Sequence, residues 1–212
     1  MAFSTERFWL GQPSVMTGNT NLWTCPAGRL AVVTNWRINP TSNVRAFMYA
    51  GNSGHIEHNL TVQQTTGYSI KGFWVIHPGE TIVFGDNDGT GQNAWQDISG
   101  LYGYTGDKIG GGEPIRVYAG TPNVAGAQIV YTVPAGRTLV IKQMDIVSLV
   151  PYQGAHCIRI HAVTHLTPLY AQIPPYKAHH HNCSIVVKAG QQISVDTGGA
   201  NSMNFLINGL LY

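Results

Sequence analysis

The apolar positions of this chain fall in short runs. Arg29-Leu30-Ala31-Val32-Val33, Gly72-Phe73-Trp74-Val75-Ile76, Thr138-Leu139-Val140-Ile141 and Ser184-Ile185-Val186-Val187 are aliphatic, β-branched or aromatic, and each abuts a Gly-containing turn. Such runs predict strands. Cys157-Ile158-Arg159-Ile160-His161-Ala162-Val163-Thr164-His165 alternates with period two, which puts Cys157, Arg159, His161 and His165 on one strand face and Ile158 and Ile160 on the other. Turn signals recur about every ten residues, and no segment sustains the i, i+3, i+4 spacing of an amphipathic helix. The pattern predicts an all-β chain of sandwich type, jelly-roll-like in architecture.

The runs repeat. Arg7-Phe8-Trp9-Leu10-Gly11-Gln12-Pro13-Ser14-Val15 returns as Arg116-Val117-Tyr118-Ala119-Gly120-Thr121-Pro122-Asn123-Val124, and Trp23-Thr24-Cys25-Pro26-Ala27-Gly28-Arg29 as Tyr131-Thr132-Val133-Pro134-Ala135-Gly136-Arg137. His77-Pro78-Gly79-Glu80-Thr81-Ile82 parallels Lys188-Ala189-Gly190-Gln191-Gln192-Ile193, and Ile98-Ser99-Gly100-Leu101 parallels Ile207-Asn208-Gly209-Leu210. Four matches in order predict two tandem β-sandwich modules. The first, with an N-terminal arm, spans residues 1–104 and the second 116–212, joined by a Gly-rich segment, 105–115, suited to a flexible linker. In each copy Pro-Ala-Gly supplies a fixed φ and then a residue free to take φ > 0, as a tight turn between strands requires.

Composition narrows the function classes. Charged residues make up 10% of the 212, the formal net charge is +2, and no Lys/Arg run occurs, so the basic footprint of a nucleic-acid binder is missing. A surface this neutral suits burial against neighbouring subunits. Cys25, Cys157 and Cys183 are an odd set without CxxC spacing and are expected as reduced thiols. The first residues lack the apolar core of a signal peptide, and no apolar run is long enough to span a bilayer, so synthesis in a host cytoplasm with no membrane partner is expected.

An aromatic residue, Thr, one short residue, Pro-Ala-Gly and an aliphatic strand, in Leu22-Trp23-Thr24-Cys25-Pro26-Ala27-Gly28 and again in Ile129-Val130-Tyr131-Thr132-Val133-Pro134-Ala135-Gly136, resembles the opening of β-modules in tailed-bacteriophage virion proteins. Capsid decoration proteins, head fibres and minor tail proteins carry such modules. The resemblance covers a few landmarks in each copy. It implies a non-enzymatic structural component of a virion, on the capsid or tail surface, with itself (a symmetric homo-oligomer such as a trimer) and other virion proteins as partners. It brings no catalytic residues and no cofactor.

Candidate contact and chemical residues follow. Phe8, Trp9 and Leu10 are bulky apolar groups near the N-terminus, suited either to a first strand on their own module or to docking on a neighbour by strand addition. His179-His180-His181, read as a polar loop at a subunit contact, could ligate a transition metal only in part, because adjacent strand residues face opposite ways. No Asp or Glu lies near Cys157–His165 in sequence to orient a His for acid–base work. A cupin-like metal site would draw on Gly54-His55-Ile56-Glu57-His58 and His77-Pro78-Gly79-Glu80, which lack the ordered spacing of cupin ligands. Asp86-Asn87-Asp88-Gly89-Thr90-Gly91-Gln92-Asn93-Ala94-Trp95-Gln96-Asp97 has the donor spacing of a calcium loop but no flanking helices. No GxSxG elbow and no phosphate loop are present. The rival functional class is glycan or receptor binding, with Trp95, Tyr152 and Tyr176, and also Tyr102 and Tyr104, as aromatics in or next to loops able to stack on sugars.

Overall fold

The computed structural model of the protein describes residues 6–16, 19–40, 44–50, 56–62, 68–86, 92–120, 126–148, 155–161, 165–172, 178–196 and 203–212. It divides into two compact units, Met1–Lys108 and Ile109–Tyr212. The first holds β1 (Glu6–Met16), β2 (Asn19–Thr24), β3 (Arg29–Pro40), β4 (Val44–Ala50), β5 (Ile56–Val62), β6 (Tyr68–Ile76), β7 (Thr81–Asp86) and β8 (Gln92–Tyr104). The second holds β9 (Glu113–Gly120), β10 (Ala127–Thr132), β11 (Thr138–Ser148), β12 (Ala155–His161), β13 (His165–Gln172), β14 (Ala178–Lys188), β15 (Gln192–Asp196) and β16 (Met203–Leu211). The described residues contain no helix. The chain is all-β, as its periodicity predicts.

Each unit is a pair of four-stranded antiparallel sheets. The orders are β1-β8-β3-β6 and β2-β7-β4-β5 in the first unit, β9-β16-β11-β14 and β10-β15-β12-β13 in the second. Counted within its own unit, each joins strands one, eight, three and six, and strands two, seven, four and five. That is the wiring of an eight-stranded jelly roll.

The Pro-Ala-Gly turns show why. In the first unit Arg29 N donates to Pro26 O (3.1 Å), Cys25 N to Glu80 O (2.8 Å), Gly79 N to Cys25 O (2.7 Å) and Glu80 N to His77 O (3.1 Å). In the second, Arg137 N donates to Pro134 O (3.1 Å), Val133 N to Gln191 O (3.0 Å), Gly190 N to Val133 O (2.9 Å) and Gln191 N to Lys188 O (3.0 Å). Two turns distant in sequence thus clasp each other in both units, bond for bond. Gly28 and Gly136 sit at φ 71° and 72°, and Gly79 and Gly190 both at φ 78°, values that disfavour any side chain. The match of Arg7–Val15 with Arg116–Val124 needs correcting by one residue. Leu10 lies opposite Ile98, and the residue opposite the corresponding Ile207 is Tyr118, not Ala119. Past the irregularity between Ile207 and Asn208 the offset is two residues: Arg7 lies opposite Leu101, and the residue opposite the corresponding Leu210 is Pro114.

Each core lies between its two sheets. Trp36, Ile38, Trp74, Ile76 and Ile98 fill the first, and Leu139, Ile141, Met144, Ile146, Ile193 and Phe205 the second. β3 and β11 carry bulges at corresponding places, Val33/Asn35 and Ile141/Gln143, where the inward phase switches from Ala31 and Val33 to Trp36 and Ile38, and from Leu139 and Ile141 to Met144 and Ile146. The switch leaves Gln143 and Asp145 on the opposite face, where both are fully buried.

The segment read as a flexible linker is hydrogen-bonded. Thr105 N donates to Gly28 O, Asp107 N to Tyr104 O, and Ile109 and Gly112 exchange both backbone bonds. Glu113 and Pro114 already belong to β9, opposite Leu211 and Leu210.

Candidate functional site

Two clusters stand out, one in each unit. In the second unit the His run is strand, not loop. His179, His180 and His181 lie on β14 opposite Ile146, Asp145 and Met144 of β11. A Pro-rich approach and three polar residues conceal this, because the partner strand lies some 35 residues earlier. His180 Nδ1 is 2.5 Å from Asp145 Oδ1, and Gln143 Nε2 donates to Asp145 Oδ2 at 2.5 Å. A buried carboxylate must be paired, and this one is held from both sides. The corresponding position in the first unit is Arg37, which is exposed. Partial desolvation, then repulsion from His180 and His181, lowers the His179 pKa below its usual 6.5, with Asp145 pulling the other way. His179 is therefore pushed toward its neutral form, and the middle imidazole of the run is hydrogen-bonded to Asp145.

In the first unit an aromatic ladder runs from the core outward. Trp23 meets Tyr102 edge to face, with centroids 5.8 Å apart at 73°. The Arg29 guanidinium carbon lies 4.1 Å from the centroids of both Tyr102 and Tyr104. Tyr104, at the strand end, is 58% exposed. Both tyrosines, expected in or next to loops, lie at the end of β8, and nothing local in sequence brings Arg29 to them.

The remaining sequence-derived residues disperse. Phe8, Trp9 and Leu10 lie on β1, an edge strand of its own sheet, opposite Gly100, Ser99 and Ile98. Of the calcium-like segment, Asp86 ends β7 and residues 92–97 are extended strand in β8, paired on both sides to β1 and β3. Residues 87–91, which carry most of the proposed donors, lie outside the described residues. Glu80 Oε2 accepts from His77 N at 2.7 Å, as Gln191 Oε1 accepts from Lys188 N at 2.6 Å. Arg159, which lacks an acid nearby in sequence, pairs with Asp196 of β15 at 3.1 Å. His161 and His165 are register partners across β12 and β13. Trp95 lies on β8 opposite Pro13 and Asn39, its side chain outside the described residues, and Tyr152 and Tyr176 fall wholly outside them. The thiols of Cys25 and Cys183 are both pushed up to about 11, chiefly by burial.

Comparison with known proteins returns no matching family model and no matching curated protein. Among solved structures, the major capsid protein P2 of bacteriophage PM2 is similar over 97% of this chain and 97% of its own, at 9% identity and TM-score 0.38. The Sulfolobus turreted icosahedral virus structure aligns over 98% of this chain and 59% of its own, at 13% identity and TM-score 0.31. The tandem CBM22 domains of Paenibacillus barcinonensis Xyn10C align over 93% and 84%, at 7% identity and TM-score 0.29. At these TM-scores none of the three assigns a function.

Proposed function

We propose that the chain is a non-enzymatic structural component of a virus particle, placed on the capsid or tail surface as a decoration or accessory protein. The observation that carries the reading is how the chain spends its reactive side chains. Five of its ten acidic residues are engaged in structural bonds: Glu80 with the His77 amide, Asp107 with the Tyr104 amide, Glu113 with Arg137, Asp145 with His180, and Asp196 with Arg159. Acids held this way support folding rather than acid–base chemistry. The rest of the chain is two sandwiches of one wiring with few charges, a composition that favours assembly through neutral, shape-matched surfaces. Jelly rolls also serve lectins and cupins, so the wiring by itself does not select the function.

The contacts proposed for assembly are the β1 edge bearing Phe8, Trp9 and Leu10 and the β14 edge bearing His179, His180 and His181, both outermost in their sheets. Size-exclusion chromatography with multi-angle light scattering, with and without chelator, tests the self-association part. A discrete oligomer of unchanged mass in chelator is expected. A stable monomer at micromolar concentration would remove self-assembly from the account.

A further inference from the structure

We infer that the Trp23–Tyr102–Arg29–Tyr104 ladder is a saccharide-binding platform confined to the first unit, a binding activity beyond the structural role proposed above. The ladder becomes more exposed as it leaves the core. Trp23 and Tyr102 pack against the buried cluster, Arg29 is half-buried, and Tyr104 presents 58% of its surface. An exposed aromatic ring stacks well on the flat C–H face of a pyranose when it is held still beforehand, because little side-chain entropy is then lost on binding.

Tyr104 is held in that way. Its N–H donates to Asp107 Oδ2 at 2.9 Å, its carbonyl accepts from Asp107 N at 3.0 Å, and the next amide, Thr105 N, donates to Gly28 O at 2.9 Å. Arg29 rests against its ring at 4.1 Å. The guanidinium carbon, 4.1 Å from both ring centroids, braces the Tyr104 ring as a stacking surface held in advance. The ligand class that fits is a hexopyranose with equatorial substituents, whose one face is flat and apolar and whose rim is hydroxyl.

The second unit shows that stability alone does not demand this arrangement. It keeps the clasp and the arginine but not the ladder. Leu211 stands where Tyr102 stands, since Leu139 and Ala31 occupy corresponding places opposite them. Arg137 instead pairs with Glu113 at 3.5 Å and donates to Leu211 O at 3.3 Å. Two copies of one turn thus differ in what they present to solvent: an aromatic ladder in one and an ion pair in the other.

Saturation-transfer difference NMR on the full chain with cellohexaose, maltohexaose and chitohexaose tests this directly. Transfer from protein aromatic protons to ring C–H protons of at least one probe is expected. Tyr104→Ala should weaken that binding by about tenfold or more, a loss of about 1.4 kcal/mol. Tyr104→Phe, which keeps the ring, should retain it, and Tyr212→Ala, which removes an exposed tyrosine of the second unit, should leave it unchanged. Absence of transfer to all three probes overturns the proposal, as does binding undiminished in Tyr104→Ala. Loss of binding in Tyr104→Ala with particle association intact separates this site from the structural role.

Discussion

The carboxylate of Asp145, on β11, meets the imidazole of His180, on β14, at 2.5 Å in a position where the carboxylate has no solvent exposure. With Gln143 on the other oxygen, the group is fully enclosed in partners. Asp145→Ala removes an acceptor from the buried Gln143 amide and a partner from His180. Such a change is expected to cost about 3 kcal/mol in a denaturant titration. The matched control is Arg37→Ala at the corresponding exposed position of the first unit, expected to stay within about 0.5 kcal/mol.

His179 sets a pH dependence of known sign. Its pKa is depressed in the folded chain, so the unfolded chain binds the proton first as pH falls. Stability is then unaffected above the ordinary value of 6.5, falls as pH drops below it, and levels off once the folded form is protonated too. Thermal melts at stepped pH between 7.5 and 5 should show a smaller acid loss in His179→Gln than in the parent chain.

Two glycines separate conformational from steric constraint. A side chain at Gly79 meets nothing within 4 Å, but its φ of 78° disfavours one, so Gly79→Ala is expected to cost about 1 kcal/mol. A Cβ at Gly209 would lie 2.6 Å from the Val140 carbonyl oxygen, a backbone atom that cannot step aside without moving β11. Gly209→Ala should therefore be the more damaging of the two in the same unfolding assay, by well over the cost at Gly79.

Much of this was legible in sequence and some was not, for reasons that differ residue by residue. The Pro-Ala-Gly turns and the Gly79 and Gly190 turns announce themselves because φ > 0 leaves few residue choices. The strand runs show because a core face needs adjacent aliphatics. The strand order did not show, since the clasp joins Cys25 to Glu80 and Val133 to Gln191, contacts that no local propensity encodes. The His run reads as a loop in sequence because its partner carboxylate, Asp145, lies 35 residues away. Bulges in β3 and β11 reset which alternate residues face the core, so simple alternation misplaces Gln143 and Asp145. The ladder is half visible in sequence: Tyr102 and Tyr104 stand out as aromatics near a connection, while Arg29 reaches them only through strand pairing.

Burial also fixes thiol chemistry. With Cys25 and Cys183 both near 11, neither forms appreciable thiolate at pH 8. Iodoacetamide at that pH should leave both unlabelled in the native chain and label both in concentrated guanidinium, with peptide mapping to keep Cys157 separate.

The central claim is membership of a virus particle, and density-gradient banding of particles from cells expressing the chain, with its copy number read by quantitative mass spectrometry, tests it most directly. The account predicts that the chain bands with the particles in many copies at a fixed ratio to the major shell protein. Recovery only at the top of the gradient, with particles free of it, would contradict the account.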